Sequence, residues 1–206
     1  MLPCVLILEP AKTPRFVGRT WNGARPVEAH VRTLAELETT AVHPRVVGAL
    51  REVSRRLTAL GIRHVTIGAL AVGVHGWPRA TSDVDLLVGP EAWHAAPDGT
   101  QTPRVPLPES IDGVGIDYLP IDVAGDFLLA AFDDALVSES VPIAPIEVVV
   151  VTKLIRLAMR DQADVVELAK AGMLDEPRVT AYLDAHAPML TSRLRALCEQ
   201  ARRESG

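Results

Sequence analysis

Residues 63–90 constrain the fold of this chain more than any other stretch, because they place a glycine-led turn and two closely spaced carboxylates on consecutive elements. The apolar run Arg63–Ile67 predicts a short buried strand, Gly68-Ala69 a turn, and the residues up to His75 a helix. The first amides of a helix have no partner within it, and an anion is favoured beside them. A nucleotide phosphate would therefore fit at Gly68 and Ala69.

The sequence SDVDLLV predicts the next strand and carries the strongest candidates for chemistry. Because side chains alternate along a strand, Asp83 and Asp85 project from one side, while Val84, Leu86 and Val88 pack on the other. Two neighbouring carboxylates repel each other and are costly to bury, and a divalent cation bound to both offsets that cost. Metal-assisted chemistry is the interpretation we favour, and a solvated strand end is the alternative.

A glycine-led turn followed by Asp-x-Asp on a strand resembles the DNA polymerase β-like nucleotidyltransferase superfamily. Its small bacterial members include proteins of toxin–antitoxin and abortive-infection systems and some antibiotic-modifying enzymes. The residues that carry this resemblance are His75, Gly76, Arg79, Thr81, Asp83, Val84 and Asp85. The similarity covers roughly residues 43–172 and implies an α+β fold with a nucleotidyltransferase-like mixed β-sheet core flanked by helices.

The resemblance also implies the remaining site residues. A third carboxylate is expected on a later strand, and Asp117 in GVGIDYL fits that position. The stretch VTKLIRLAMRDQADVVEL is similar to a helical segment in which a lysine precedes an Arg-Asp-x-x-Asp turn, a pattern matched by Lys153, Arg160, Asp161 and Asp164. The predicted roles are catalysis and binding of Mg²⁺ or Mn²⁺ for Asp83, Asp85 and Asp117, and binding of an NTP for Gly68, Ala69, Arg79 and Lys153.

The roles of the predicted cations have alternatives. Lys153, Arg156 and Arg160 form a basic stripe on one predicted helix, which would face a triphosphate. Lys153 is equally compatible with a helix-surface cation paired with a carboxylate such as Asp161 or Asp164. Arg79 would contact phosphate or orient its loop. His75 is interpreted as a packed histidine rather than a base.

The implied activity is transfer of an NMP from an NTP to a hydroxyl-bearing acceptor, which would be a protein, an RNA or a small molecule. One residue departs from the family pattern, since the turn usually reads Gly-Gly or Gly-Ser and here has Ala69 in second place. The serine hydroxyl is therefore missing, although the amide remains. The alternative is a weakly active or inactive protein of the same fold that regulates or binds, such as a toxin–antitoxin component.

Composition and charge limit the classes of partner and the compartment that the sequence favours. The 206 residues carry a formal net charge of -5, so nucleic acid is not favoured by charge and would need a local basic patch. No apolar run approaches the length of a membrane span, and Cys4 and Cys198 lie in no motif, so the cytoplasm is the expected compartment. The acceptor is unknown, and a cognate protein partner or a homodimer is compatible with the sequence.

The chain divides into three predicted parts. Residues 1–40 form a small N-terminal β appendage whose end, Thr33–Glu38, matches a capped short helix. Residues 41–146 form the core, which begins with a helix from His43-Pro44 to Gly61 with Leu60 on its apolar stripe. Residues 91–112 are predicted as a short helix and a long loop. Residues 147–206 form a C-terminal helical segment that opens with one helix over Glu147–Arg160.

Overall fold

The computed structural model describes residues 31–95, 100–121, 126–156 and 158–206. The β appendage predicted within residues 1–40 falls largely outside these ranges. The α-helices of the described residues are α1 (Leu34–Thr40), α2 (Pro44–Ala59), α3 (Gly68–Val74), α4 (Ala130–Asp133), α5 (Ile146–Arg156), α6 (Met159–Lys170), α7 (Glu176–His186) and α8 (Thr191–Ser205). None of the helices within these ranges has both the length and the apolar character that crossing a bilayer requires.

Two β-sheets accompany the helices. Their strands are β1 (His64–Thr66), β2 (Asp83–Val88), β3 (Trp93–Ala95), β4 (Gln101–Pro103), β5 (Ser110–Ile111), β6 (Val114–Pro120), β7 (Leu136–Ser138) and β8 (Val141–Ile143). The larger sheet has six strands in the order β5-β6-β2-β1-β8-β7, and the smaller pairs β3 with β4. Since β2 is parallel to β6 but antiparallel to β1, the larger sheet is mixed, and the predicted α+β class is confirmed.

The sheet interior explains why the predicted strands form where they do. β1 is buried along its whole length, and the inward residues of β2, Val84 and Leu86, are fully buried. Helix α2 packs against β2 and β8, while α3 packs against β2 and α5. The C-terminal helices continue this core, because α5 packs on α6 and α7, and α6 packs on α8. The packing of α3 against β2 thus places the turn at Gly68 next to β2.

The predicted start of α1 is confirmed in atomic detail. The Thr33 hydroxyl accepts a hydrogen bond from the amide of Glu36, and the Glu36 carboxylate accepts one from the amide of Thr33, which completes a capping box. The next two free amides are satisfied from the β7–β8 turn, by Ser138 Oγ at 3.1 Å and Glu139 Oε1 at 2.9 Å. Glu139 also binds Arg51 of α2, so one acidic side chain joins two helices to the sheet edge.

The prediction of a single helix over Glu147–Arg160 is wrong. It is divided into α5 and α6, and Ala158 at the start of α6 has an extended ψ of 151°. Arg193 of α8 donates to the carbonyl oxygen of Leu154 at 2.9 Å, which satisfies a carbonyl near the end of α5. A contact from a distant helix therefore overrides the local propensity of good helix-forming residues.

Two smaller expectations also differ from the structure. Residues 91–112 hold β3, β4 and β5 rather than a helix and an open loop, and the predicted helix is a single 3₁₀ turn at Pro90–Ala92. Leu60, placed on the apolar stripe of α2, is 53% exposed because the helix ends one residue before it. Leu50 and Leu57 of the same stripe are buried as expected.

Candidate active site

The three predicted catalytic aspartates lie on neighbouring parallel strands. Asp85 of β2 is directly opposite Asp117 of β6 in the sheet register, and Asp83 is opposite Gly115. Adjacent strands lie about 4.8 Å apart, and residues two apart on a strand share a face. Asp83 and Asp85 are half-buried and Asp117 is exposed, whereas Val84 between the first two is fully buried. The fold therefore brings all three carboxylates to one face of the sheet.

The donor set fits a metal ion bound jointly with a nucleotide. Within the described ranges, no group of three or more His, Cys, Asp or Glu side chains is spaced to hold a metal ion by itself. Magnesium, however, keeps several waters and is commonly bound through one or two carboxylates together with substrate phosphates. Asp85 and Asp117, with Asp83 beside them, offer hard oxygen ligands of this kind.

Gly68 sets the position of the Asp85 carboxylate. Its φ of +66° lies in the left-handed region, and a Cβ built on it would lie 1.9 Å from Asp85 Oδ2. Only glycine lets the carboxylate approach the turn this closely. The backbone fixes the same contact, because the amide of Ile67 donates to the carbonyl oxygen of Asp85 at 3.0 Å. The glycine of the turn and the second aspartate are thus parts of one local structure.

Asp85 is electrostatically strained. Burial raises the pKa of its carboxyl most, and the negative charges of Asp83 and Asp117 raise it further, while the positive charges of Lys153 and Arg156 act in the opposite direction. Asp83 is better supported, since the Thr81 hydroxyl donates a hydrogen bond to its Oδ1. A cation placed between these carboxylates would relieve their repulsion. Strain of this kind, found together with a specific geometry, is typical of functional sites.

We expect Asp85→Asn to raise stability at neutral pH by on the order of 1 kcal/mol, because the amide keeps the shape of the side chain and removes a repelled, partly buried charge. The raised pKa means that the folded state binds this proton more readily than the unfolded state. The gain is therefore largest well above that pKa and shrinks as the pH falls through it.

Thermal unfolding of the wild type and of Asp85→Asn, followed from neutral to acid pH, measures the effect. The melting temperature should shift by about 2–4 °C per kcal/mol for a chain of this size. Asp117→Asn is the comparison, since its carboxylate is exposed and a smaller shift is expected. A lower melting temperature for Asp85→Asn than for the wild type would show that the carboxylate stabilises the fold.

The two predicted phosphate-binding cations lie in a buried ion-pair cluster. Lys153 Nζ is 2.7 Å from Asp161 Oδ1 and 2.8 Å from Asp164 Oδ2. Arg79 holds Asp164 through two hydrogen bonds, from Nε at 2.6 Å and from Nη2 at 2.9 Å. The Lys153 side chain is 7% exposed and that of Asp164 is 2% exposed. Lys153 is therefore paired as the alternative interpretation held, but within the interior rather than on the helix surface.

Asp164 is the centre of this cluster. Burial alone would raise the pKa of its carboxyl, but the hydrogen bonds and charges of Arg79 and Lys153 lower it below its usual value. The carboxylate is thus anionic and joins α6 to the loop that leads into β2. Arg79 lies two residues before Thr81, whose hydroxyl donates to Asp83, so the cluster adjoins the start of β2.

His75 has a packing role in this structure. Its Nε2 lies 2.8 Å from the carbonyl oxygen of Ala144, to which it donates, and the side chain is buried. Burial lowers its pKa, so the imidazole is neutral at physiological pH. The contact ties the end of α3 to the residue after β8, in agreement with the interpretation of a packed histidine.

Two contacts that support the site could not be predicted from the sequence, those of Thr81 and of Asp164. Thr81 belongs to the pattern that carries the family resemblance, but its hydrogen bond to Asp83 was not foreseen. Asp164 was, with Asp161, an alternative partner for Lys153, whereas its bidentate contact with Arg79 joins positions 85 residues apart. No local pattern specifies a contact over that separation, and only the position of α6 against the β2 loop provides it.

The surface also has a groove that is separate from the predicted site residues. It has a volume of about 490 Å³ and lies between α2 and residues 106–108, and none of the predicted site residues lines it. Its lining is largely apolar, with Arg55 and Arg56 present. Both of these arginines pair with Glu52, so they belong to a solvated helix face. The groove is therefore not the candidate nucleotide site.

Comparisons with known proteins include a structural likeness. No family model matches the chain, and no curated protein shows significant similarity to it. Among solved structures, the chain is similar to the crystal structure of an antigenic nucleotidyltransferase-like protein from Paracoccidioides brasiliensis. The sequence identity is 16% and the TM-score 0.39, with 80% of this chain and 94% of that chain covered. A likeness at this level assigns neither a family nor an activity.

Proposed function

We propose that this chain is a nucleotidyltransferase that uses Mg²⁺ or Mn²⁺ to move an NMP from an NTP to a hydroxyl-bearing acceptor. The observation that carries the proposal is the parallel register that sets Asp117 against Asp85, with Asp83 on the same face and Gly68 against the Asp85 carboxylate. The sequence pattern His75 to Asp85, which resembles nucleotidyltransferases, supports the same conclusion independently of the strand register.

The three aspartates would hold the metal together with the nucleotide. Bound there, the ion would neutralise charge on the phosphates and lower the pKa of the acceptor hydroxyl. The amides of Gly68 and Ala69 would lie beside the phosphates. Ala69 is only 5% exposed, so its methyl group packs in the interior and does not obstruct this approach. Relative to a serine, the loss at this position is the hydroxyl contact alone.

The reaction requires one proton transfer and one displacement. The acceptor oxygen forms a bond to the α-phosphorus, and the bond from that phosphorus to the oxygen bridging to the β-phosphate breaks. The electron pair of the broken bond leaves with pyrophosphate. Asp117, the exposed member of the trio, would take the acceptor proton as general base. The protein otherwise acts by alignment and by placing charge near the reacting phosphate.

Transfer of label from α-labelled NTPs tests this function. The protein is incubated with Mg²⁺ and each NTP in the presence of protein, RNA and small-molecule acceptors, and incorporation is compared with that of Asp83→Asn/Asp85→Asn. We expect incorporation by the wild type and at least a hundredfold less by the double variant, because removal of metal-binding charges eliminates the main electrostatic contribution. Equal labelling by the two proteins would exclude the proposed chemistry.

A second candidate is an inactive nucleotidyltransferase-fold protein that binds a partner, such as a toxin–antitoxin component, or a second copy of itself. One observation favours it: Arg79 and Lys153, the predicted phosphate ligands, are already paired with buried aspartates. Calorimetry with Mg²⁺ and each NTP distinguishes the two. Metal-dependent NTP binding that disappears in the double aspartate variant supports the enzyme, while absence of any binding supports the partner-binding protein.

A further inference from the structure

The buried ion-pair cluster occupies both cations that were predicted to bind phosphate, so the site needs another phosphate ligand. Lys153 contacts two carboxylates and Arg79 binds the second of them bidentately, so both cations are committed to Asp161 and Asp164. Breaking such contacts to bind a phosphate would leave buried carboxylates unpaired, which is costly. A cation that contacts a triphosphate without this cost must be exposed, near the aspartates and loosely held.

Arg156 meets these three conditions. It lies three residues after Lys153 on α5, so the two side chains occupy the same side of the helix. Its side chain is 74% exposed, and its nearest carboxylate contact is Nε to Asp161 Oδ2 at 3.8 Å, which is beyond hydrogen-bonding distance. The Asp161 carboxylate beside it shares Lys153 with Asp164, and Arg79 binds Asp164 from the loop that leads into β2, so Arg156 lies at the edge of the cluster next to the acidic strand.

The partner of Arg156 is itself incompletely satisfied. Asp161 is buried, its Oδ1 binds Lys153, and its Oδ2 has no hydrogen-bond partner among the described residues. A buried carboxylate oxygen without a donor is unusual and costs free energy. The unpaired oxygen attracts the guanidinium of Arg156 toward Asp161 but does not hold it in one position. Arg156 is thus held near the site and remains free to turn to a stronger anion.

We propose that Arg156 is the side chain that binds the triphosphate of the nucleotide, and that Lys153 and Arg79 instead hold the site together through Asp161 and Asp164. The inference rests on the proposed function for the identity of the ligand, a polyphosphate. A guanidinium offers several donors in a planar fork, which matches phosphate oxygens better than an ammonium does. A charge-assisted contact of this kind contributes about ten- to a hundredfold in affinity.

Calorimetry with Mg²⁺ and inorganic triphosphate tests the assignment without requiring turnover. We expect Arg156→Gln to weaken binding about ten- to a hundredfold, and Arg156→Lys to recover part of that loss. Arg203→Gln is the matched control, because this arginine of α8 is 70% exposed, lies 3.9 Å from its nearest carboxylate, that of Glu199, and should leave the affinity unchanged when replaced. Since Arg156 is exposed, its replacement should leave the melting temperature unaltered, which excludes unfolding as the cause.

The outcomes separate this inference from the proposed function. Weakened triphosphate binding in Arg156→Gln supports the inference even if no NMP transfer is detected. Unchanged affinity and unchanged KM for the NTP in Arg156→Gln overturn it, even where the wild type transfers label. A wild-type protein that binds no triphosphate overturns it as well. An equal loss in Arg203→Gln would mean general attraction to positive charge and would likewise contradict the assignment.

Discussion

Replacing Asp164 by alanine is expected to lower the free energy of unfolding by about 3–5 kcal/mol, because it leaves two cations without their shared buried partner. Lys153 is 7% exposed and cannot reach water without moving α5. Arg79 would lose both of its hydrogen bonds to the carboxylate. Chemical denaturation, with the m-value compared between variants, measures the loss directly.

Two controls show whether the loss comes from the buried charges. Glu167→Ala removes a half-buried carboxylate from the same helix, where it pairs with Lys170, and should cost less than about 1 kcal/mol. Adding Lys153→Met to Asp164→Ala should lower the stability further, because the buried Asp161 then loses the ammonium group that its Oδ1 binds. A cost below about 1 kcal/mol for Asp164→Ala would mean that water reaches the cluster in solution.

Replacing Gly68 by alanine is expected to reduce the proposed NMP transfer at least a hundredfold and to cost about 1–3 kcal/mol of stability. The new methyl group would occupy the position of Asp85 Oδ2, so the carboxylate must move or the turn must open. Displacement of a catalytic group by about 1 Å is enough for an effect of this size. Transfer assays at saturating NTP and denaturant melts report the two effects separately.

Gly61→Ala isolates the backbone part of this cost. Gly61 has a φ of +69°, close to the +66° of Gly68, but a Cβ there would meet nothing within 4 Å. Its replacement should therefore show the stability cost of the left-handed conformation and retain full activity. Equal activity losses in the two variants would show that the contact between Gly68 and Asp85 has no special importance for the reaction.

The sequence predicted the local parts of the site because their patterns are local. Alternation along β2, the glycine turn and the capped start of α1 are each set by residues within a few positions, and the structure has all of them. The break between α5 and α6 was missed because Arg193 of another helix stabilises it. The three strands within residues 91–112 were missed because each is only two or three residues long and forms through pairing rather than propensity.

The arrangement around the aspartates could be predicted only in part. That Asp117 should join Asp83 and Asp85 followed from the family resemblance, but its pairing with Asp85 depends on the register between two strands far apart in the chain. The ion-pair partners of Lys153 were among the alternatives, whereas its burial was not, since burial depends on how α5, α6 and the β2 loop pack together. Pairing partners can be inferred from charge, but solvent access requires the tertiary fold.

Strand β2 is hydrogen-bonded on both sides, to β1 and to β6, and this central place has a consequence for turnover. Two of the three acidic groups cannot shift with the main chain unless the six-stranded sheet itself deforms. Adaptation to incoming and departing ligands must then come from side-chain rotation and from the exposed periphery, not from the backbone beneath. On heating, the proposed activity should accordingly disappear together with the sheet, without an inactive but still folded stage in between.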